Sequence, residues 1–248
     1  PIRLYVVFSH LQVGDTPMDY GTLISRSFEY TKDALVGKWM QWVILAVLSL
    51  VQALTLSLIP LLSGYAVRVL GGKTPAPEID DWGRLFVDGW KMNIIMLVYM
   101  LPAILVFLVL GGIGAIGLFA NEAAGGDPTA AGAAALSLLG GFLLAGLVAL
   151  VMAFIALFAL LRFAHTDSLG EAFNFGAILS HIGKLGWGTW IIAVIVLFIV
   201  ALVYGFVVGR VSWIPFLGWL ITLFLNAAFV VFYSRYLAQV YEDTPAPA

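Results

Sequence analysis

The stretch AGAAALSLLGGFLLAGLVALVMAFIALFALLRF, Ala131–Phe163, decides the fold class of this sequence. Its one charged residue, Arg162, lies next to its end, and about 20 apolar residues are enough for a helix to cross a bilayer. The stretch lacks the period-two alternation of polar and apolar residues that is typical of membrane β-barrel strands. It is therefore predicted to be a transmembrane α-helix.

Four other stretches have the same character, and none carries a charged residue in its central part. They are Trp39–Ile59, Asn93–Ala120, Trp187–Val208 and Trp213–Tyr236. Composition points the same way, because 62% of the 248 residues are hydrophobic and 10% are charged, against about a quarter charged in a soluble domain. The sequence predicts an all-α polytopic transmembrane bundle of five spans, with short amphipathic helices in the membrane interface.

The segments between these stretches differ in charge. Asn121–Thr129 is acidic and Gly-rich and has no Lys or Arg, whereas Leu61–Lys91 and the connection from Arg162 to Lys184 carry several cations. Because basic loops stay in the cytoplasm, the two basic segments are predicted to be cytoplasmic and the acidic loop external. Arg235, at the end of the last predicted span, predicts that the C-terminus lies on the cytoplasmic side of the cell membrane as well.

The beginning of the bundle has two possible topologies. Arg26, Lys32 and Lys38 also favour the cytoplasm, yet a single first span would put them outside. If Trp39–Leu70 turns back at Pro60 as a short or re-entrant hairpin, there are six membrane segments and both ends are cytoplasmic. The five-span alternative remains open.

A ten-residue pattern, D-x-x-G-x-x-F-x-x-G, occurs at 80–89 and again at 167–176. An aspartate followed by an amphipathic stretch is typical of a helix start, so each copy predicts a short helix lying in the cytoplasmic interface. Each copy also precedes apolar segments, which predicts an internal repeat of about 80–163 and 167–241.

The ends of the chain lie outside this pattern. Residues 1–17 show no cleavable signal peptide, and they are predicted to be an extension before a single transmembrane domain at 18–241. Residues 242–248 are predicted to form a C-terminal tail.

Several blocks of the sequence resemble one known family. They are MDYG at 18–21, GYAVR at 64–68, PEIDDWGRLFVDG at 77–89 with Tyr99 and Pro102 after it, and a weaker echo, EAFNFG, at 171–176. These blocks are similar to the domain of unknown function 4013 (DUF4013), known mainly from archaeal membrane proteins. The resemblance implies a multi-span membrane domain, and it brings no established activity, ligand or catalytic residue.

Charged residues near the predicted membrane boundaries are the candidate contacts for a partner protein or a lipid headgroup. They are Arg68, Asp80, Asp81, Arg84, Asp88, Arg162, Asp167 and Glu171. Asp81, Arg84 and Asp88 are spaced i, i+3 and i+7 and so share one helix face. The plainer alternatives are a solvated face with a helix cap, and arginines that extend to the interface and set the topology.

Neutral polar residues occur inside the predicted spans, notably Gln52, Tyr99, Tyr204 and Asn226. Such groups usually hydrogen-bond to neighbouring helices, and a pore or substrate site is the alternative. Gly-rich faces around Gly111–Gly117 and Gly140–Gly146 predict close helix packing. Every Asp and Glu lies near or beyond a predicted boundary, which argues against a proton-coupled transporter.

The sequence contains no constellation typical of an enzyme. It has no Cys, which excludes disulfides and thiolate chemistry, and its histidines are His10, His165 and His181. His165 with Asp167 and Glu171 would make a poor metal site because it offers one imidazole. No nucleophile elbow, phosphate-binding loop or zinc-protease motif is present. No catalytic, cofactor or metal site is therefore predicted, and the net charge of −2 gives no basic field for nucleic acid.

Three functions remain. The leading hypothesis is a non-enzymatic structural or scaffold subunit of a homo-oligomer or larger membrane complex, with the bilayer and other membrane subunits as partners. The alternative is a passive transporter, channel or lipid-handling protein, which would be recognised by a continuous polar cavity lined by Gln52, Asn226 or the tyrosines. An intramembrane enzyme comes third.

Overall fold

The computed structural model describes residues 18–244, and the regular structure within them is entirely helical. The helices are α1 Tyr20–Leu35, α2 Trp39–Leu54, α3 Leu61–Leu70, α4 Trp82–Val106, α5 Gly112–Ala123, α6 Pro128–Thr166, α7 Phe175–Leu185, α8 Trp187–Val211 and α9 Gly218–Glu242. A π-helical turn, Phe107–Gly111, joins α4 to α5, and a 3-10 helix, Leu169–Phe173, precedes α7. The prediction of an all-α fold is confirmed. Residues 1–17 and most of the tail lie outside the described residues, as does His10.

Four helical segments are long and apolar enough to cross a membrane: Trp82–Ala123, Pro128–Thr166, α8 and α9. The last four predicted spans fall on these segments, although Trp213–Leu217 belongs to the turn before α9. A fifth span arises only if α1 and α2, which are bent by 103° at their junction, are counted as one. Because α1 carries four charged residues on its exposed side, we count four spans and treat α1 as an amphipathic interfacial helix.

The first predicted span, Trp39–Ile59, is the exception. The 16 residues of α2 rise about 24 Å, which is less than the roughly 30 Å of a bilayer core. The chain then turns, with Leu56 and Ser57 at positive φ (49° and 63°), and continues after Pro60 as α3. The turn is anchored by Asn93 of α4, whose Nδ2 donates to the carbonyl of Ser57 at 3.0 Å. This arrangement favours the hairpin alternative over a single first span.

Four crossings bring α1, the 71–81 loop, the α6–α7 connection and the end of α9 to the same end of the bundle, which we call the charged end. Contacts between distant parts of the chain agree with this: Arg235 Nη1 donates to the carbonyl of Gly72 at 3.2 Å, and Gln239 Nε2 donates to Ser27 Oγ at 2.7 Å. Every Lys and Arg of the described chain except Arg210 lies at or towards this end. The opposite end contains the acidic turn before α6 and the turn before α9.

The prediction of a separate interfacial helix at 80–89 is wrong. Asp81 caps the helix, its Oδ1 accepting from Arg84 N at 3.1 Å, but α4 runs on without a break into the apolar span. The block at 167–176 differs again, since Asp167 ends α6 and the chain passes through the 3-10 helix into α7. An aspartate therefore begins a helix in one block and ends one in the other.

The last glycines of the two blocks also have different surroundings. A Cβ on Gly89 would stand 2.0 Å from the carbonyl oxygen of Pro60, and one on Gly64 would stand 1.8 Å from that of Leu85, so both glycines allow α3 and α4 to touch. A Cβ on the equivalent Gly176 would make only an ordinary contact, 3.8 Å from Asn174 Oδ1. The internal repeat stays a prediction, and its two blocks do not share one local structure.

Candidate binding face at the charged end

Arg68 holds the loop that precedes α4. Its side chain is 8% exposed and donates to Asp80 Oδ1 at 2.5 Å, to the Asp80 carbonyl at 2.9 Å and to the Asp81 carbonyl at 3.2 Å. A planar guanidinium suits this because its donors are arranged as a fork. Arg68 is thus committed to contacts within the chain.

A second group of charges lies on the first turns of α4. Asp88 is buried, with its carboxylate 3.5 Å from Arg84 Nε and 3.2 Å from Lys91 Nζ. Arg84 also reaches Asp167 of the α6–α7 connection, with 2.6 Å between Nη2 and Oδ2. Of the face predicted for Asp81, Arg84 and Asp88, Asp81 caps α4, Arg84 lies against Asp88, and Arg84 binds another part of the same chain. Arg84 remains half exposed, so one side of this group faces outwards.

Arg162 and Glu171 close the turn that follows α6. The Arg162 guanidinium is almost fully buried, and its Nε donates to Glu171 Oε2 at 2.6 Å while Nη2 pairs with the same oxygen. This hydrogen bond lowers the pKa of Glu171 below its usual value, so the pair is ionised at neutral pH. The predicted role of these residues as partner or headgroup contacts stays a prediction, since each already has a partner in the chain.

The end of α9 adds a group that the sequence analysis did not identify. Glu242 lies between His165 and Arg235, with Oε1 3.5 Å from His165 Nε2 and Oε2 3.6 Å from Arg235 Nη1. Arg235 also stacks over the ring of Tyr30, 5.3 Å from its centroid. These contacts tie α9 to α1 and α6 at the charged end.

Beside this group lies an open cleft of ≈ 620 Å³ between α1, the 74–76 loop and the end of α9. Charged side chains of both signs line it: Arg26, Glu29, Asp33, Lys38, Arg235, Glu242 and Asp243. No ion pair to the α1 members occurs within residues 18–244. The i, i+3, i+7 spacing of Arg26, Glu29 and Asp33 in the sequence is the signal that could have predicted this charged face.

Two histidines meet at a tyrosine behind the cleft. The rings of His165 and His181 each lie 4.4 Å from the ring of Tyr241, between centroids. His181 is fully buried, and its Nε2 lies 3.0 Å from the carbonyl oxygen of Thr244. Within the described part of the chain, no three His, Asp or Glu side chains are grouped to hold a metal ion. The contacts of the two imidazoles with Tyr241 are ring packing.

The intramembrane polar residues do not share one site. The hydroxyl of Tyr99 donates to the Ala172 carbonyl at 2.7 Å, and Tyr204 stacks on Phe229 with 4.1 Å between ring centroids. Gln52 and Asn226, by contrast, line the same pocket of ≈ 280 Å³ between the α2–α3 turn and α9. The tyrosines thus serve packing between helices, whereas the two amides border an opening.

The outward side of α8 is the largest feature that the sequence analysis missed. Only Trp190 and Ala193 of its 25 residues are buried. One stripe of exposed residues runs down the helix with alternating spacings of four and three: Ile191, Ile195, Phe198, Leu202, Gly205 and Gly209. We call these six residues the α8 stripe. Its upper part borders an apolar groove of ≈ 440 Å³ between α6 and α8.

Gly205 and Gly209 of the α8 stripe have no atom within 4 Å of an added Cβ. The glycines of α6 differ in their surroundings. Gly141 packs against Gly111, whereas Gly140 and Gly146 face open space, as Gly205 and Gly209 do. The G-x-x-x-G spacing of Gly205 and Gly209 is the sequence signal for this surface.

Comparison with known proteins places most of the chain in one family model. The model of a family described as "Protein of unknown function (DUF4013)" matches residues 47–213, from the middle of α2 to just beyond α8. No curated protein and no solved structure matches the chain. The matched segment includes α3, all of α4–α8 and most of the ion pairs of the charged end.

Proposed function

The chain belongs to the DUF4013 family of proteins of unknown function, and on that premise we propose that it is a non-enzymatic structural membrane protein that self-associates through the α8 stripe. Several apolar helices fit a membrane protein, and the finer role rests on one observation. An exposed helix carries a stripe with the spacing of a helix–helix seam, and that stripe ends in two open glycines.

A second copy of this chain is the occupant that the stripe suits best. Residues spaced alternately by four and three along a helix meet the same stripe of a partner helix, as in paired coils. Glycine spaced by four lets two backbones approach, and in a membrane such close packing drives association. A helix surface that contacts only lipid tails does not require glycine at positions 205 and 209. Each glycine lowers helix stability by about 1 kcal/mol relative to alanine.

The charged end supports a structural role as well. Several of its cations and carboxylates are paired with one another, as in Arg68–Asp80, Arg84–Asp167 and Arg162–Glu171. Such pairs fix loops and helix ends, and their members are held in ion pairs rather than free for proton transfer. The open cleft between α1 and α9 then provides a surface of mixed charge for a further subunit.

We also propose that the protein lies in the cell membrane with its charged end on the cytoplasmic side. Arg68, Lys73, Arg84 and Lys184 lie at that end, while Arg210 lies at the other, one residue before the end of α8. Retention of basic loops in the cytoplasm then gives four crossings with both described ends inside.

The test of self-association is the mass of the protein in nanodiscs cut directly from membranes. Wild type is expected as a discrete dimer or higher oligomer, and Gly205→Leu or Gly209→Leu is expected to shift it to monomer, because a leucine holds the helices apart. Gly140→Leu is the control, since Gly140 is an exposed α6 glycine with open space and lies on a helix other than α8. A monomeric wild type, or equal assembly of all variants, contradicts the proposal.

A further inference from the structure

The pocket between the α2–α3 turn and α9 combines polar walls with an apolar mouth. Its volume is ≈ 280 Å³ and its lining is Ser49, Gln52, Ala53, Ser57, Leu62, Thr222, Leu223 and Asn226. Five of these eight residues carry hydroxyl or amide groups, and none carries a charge. All eight lie in the apolar segments that form the hairpin and the last span.

The orientation of the Gln52 amide follows from its neighbour. The backbone nitrogen of Ser63 can only donate, and it lies 3.0 Å from the Gln52 side chain, so the atom facing it is Oε1. Ser63 Oγ donates to the same oxygen at 3.1 Å. The amide nitrogen therefore points away from α3, and no hydrogen-bond acceptor for it occurs within residues 18–244.

The Asn226 amide also has one end left over. It bonds to Ser49 Oγ at 2.5 Å, and this hydroxyl can serve either amide atom. With the nitrogen on Ser49, Asn226 Oδ1 accepts no hydrogen bond from the described residues. Ser57 Oγ, at the turn, likewise makes no hydrogen bond to the described chain. The pocket thus offers donor and acceptor groups that an apolar surrounding would leave unsatisfied at substantial cost.

The surface around the pocket is apolar. Leu54 and Leu56, next to its hairpin lining, are 75% and 88% exposed, and Leu220 and Ile221 of α9 are exposed beside Thr222. A ligand for this site therefore needs an uncharged, hydrogen-bonding part for the pocket and an apolar part for the mouth. An ionised head would lack a counter-charge there, and its desolvation would not be compensated.

We infer that this pocket binds the uncharged polyol head of a neutral lipid, such as a monoacylglycerol, with the acyl chain lying along the exposed leucines. The volume agrees with a small head, because pockets that enclose drug-sized ligands start at about 300 Å³. The hydroxyls of a glycerol ester would accept from Gln52 Nε2 and exchange hydrogen bonds with Asn226 and Ser57. This site is independent of the α8 stripe, which lies on another helix.

The test is native mass spectrometry of the purified full chain with three probes at equal concentration. Monooleoylglycerol is the expected ligand, oleoyl lysophosphatidate has the same tail with a charged head, and free glycerol has the head alone. Retention of monooleoylglycerol at least tenfold above both other probes is expected. Equal retention of the two lipids overturns the inference. Free glycerol retained as strongly as monooleoylglycerol overturns the claim that the ligand is a lipid.

Two serine variants distinguish the pocket from general lipid contact. Ser57→Ala removes one free hydroxyl and is expected to weaken monooleoylglycerol binding about three- to tenfold, the effect of one hydrogen bond. Ser137→Ala, on α6 away from the pocket, is the matched control and should not change binding. Gln52→Leu should weaken binding more strongly, but it also frees Ser63, so Ser57→Ala decides. Monooleoylglycerol binding that is unchanged in Ser57→Ala contradicts the assignment.

Discussion

Gly141 of α6 lies directly against Gly111 at the end of the π-helical turn, and a Cβ placed on Gly141 would stand 2.4 Å from the backbone nitrogen of Gly111. Gly114 makes a similar contact, since its added Cβ would stand 2.4 Å from Leu138 N. These glycines set the distance between α5 and α6. The Gly-rich faces predicted from the sequence are therefore used, in part, inside one chain.

Gly141→Leu is expected to destabilise the bundle, because the side chain must push α6 away from the π-helical turn. Overpacking of this kind costs about 1–3 kcal/mol. The measurement is the thermal unfolding midpoint in mild detergent. Gly140→Leu is the matched control, since Gly140 is the next residue along the chain and faces open space. Equal midpoints for the two variants would contradict the packing role of Gly141.

Asp88→Asn is expected to destabilise the charged end. The buried carboxylate lies between Arg84 and Lys91, and the substitution leaves Lys91 without its ion pair and Arg84 with Asp167 alone. Because the cations are partly exposed, we expect a loss of about 1–3 kcal/mol in unfolding free energy. Asp33→Asn makes the same chemical change on the exposed face of α1 and should have little effect. Chemical unfolding followed by tryptophan fluorescence measures both, and a similar loss in the two variants would count against the buried cluster.

His181 is expected to make the fold sensitive to acid. Burial lowers the pKa of His181 below 6.5, and the nearby Arg162, Lys184 and His165 act in the same direction. The unfolded chain then binds the proton more tightly, so this contribution to stability is complete above pH 6.5 and is lost as the pH falls below it. Unfolding midpoints from pH 8 to pH 5 should fall less steeply for His181→Phe than for wild type. Parallel curves would contradict the assignment.

The absence of Cys makes the orientation directly measurable, because any introduced thiol is the only one in the chain. Lys73→Cys lies in the loop at the charged end, and Gly125→Cys lies in the acidic turn at the other end. In intact cells a membrane-impermeant maleimide should label Gly125→Cys alone, and both should react after permeabilisation. Labelling of Lys73→Cys in intact cells would reverse the proposed orientation.

The fold class and most spans could be predicted from the sequence, because a chain that is 62% hydrophobic needs lipid to cover its apolar surface. The long apolar stretches leave no other way to cover their surface, and the structure places the last four in long helices. The break after Leu54 is harder to predict, since the turn uses Leu56 and Ser57 at positive φ where the sequence has no glycine. Asn93, from a distant helix, provides the contact that fixes it.

The candidate site could be predicted only in part. The sequence identified Arg68, Arg84 and Arg162, but their partners depend on which loops meet at the charged end, and periodicity does not specify that. Residue type alone does not predict these helix boundaries, because an aspartate, Asp81, begins α4 and another, Asp167, ends α6. The α8 stripe was within reach, since the spacing of Gly205 and Gly209 is readable in the sequence.

Disulfide cross-linking at Leu202 tests the central claim of self-association through α8 most directly. Leu202 lies on the α8 stripe and is 58% exposed, and Leu97 of α4 is equally exposed and lies off the stripe. In native membranes under mild oxidation, Leu202→Cys should form a covalent dimer at low expression, whereas Leu97→Cys should remain monomeric. Cross-linking of neither variant, or of both to the same extent, would contradict an α8 interface.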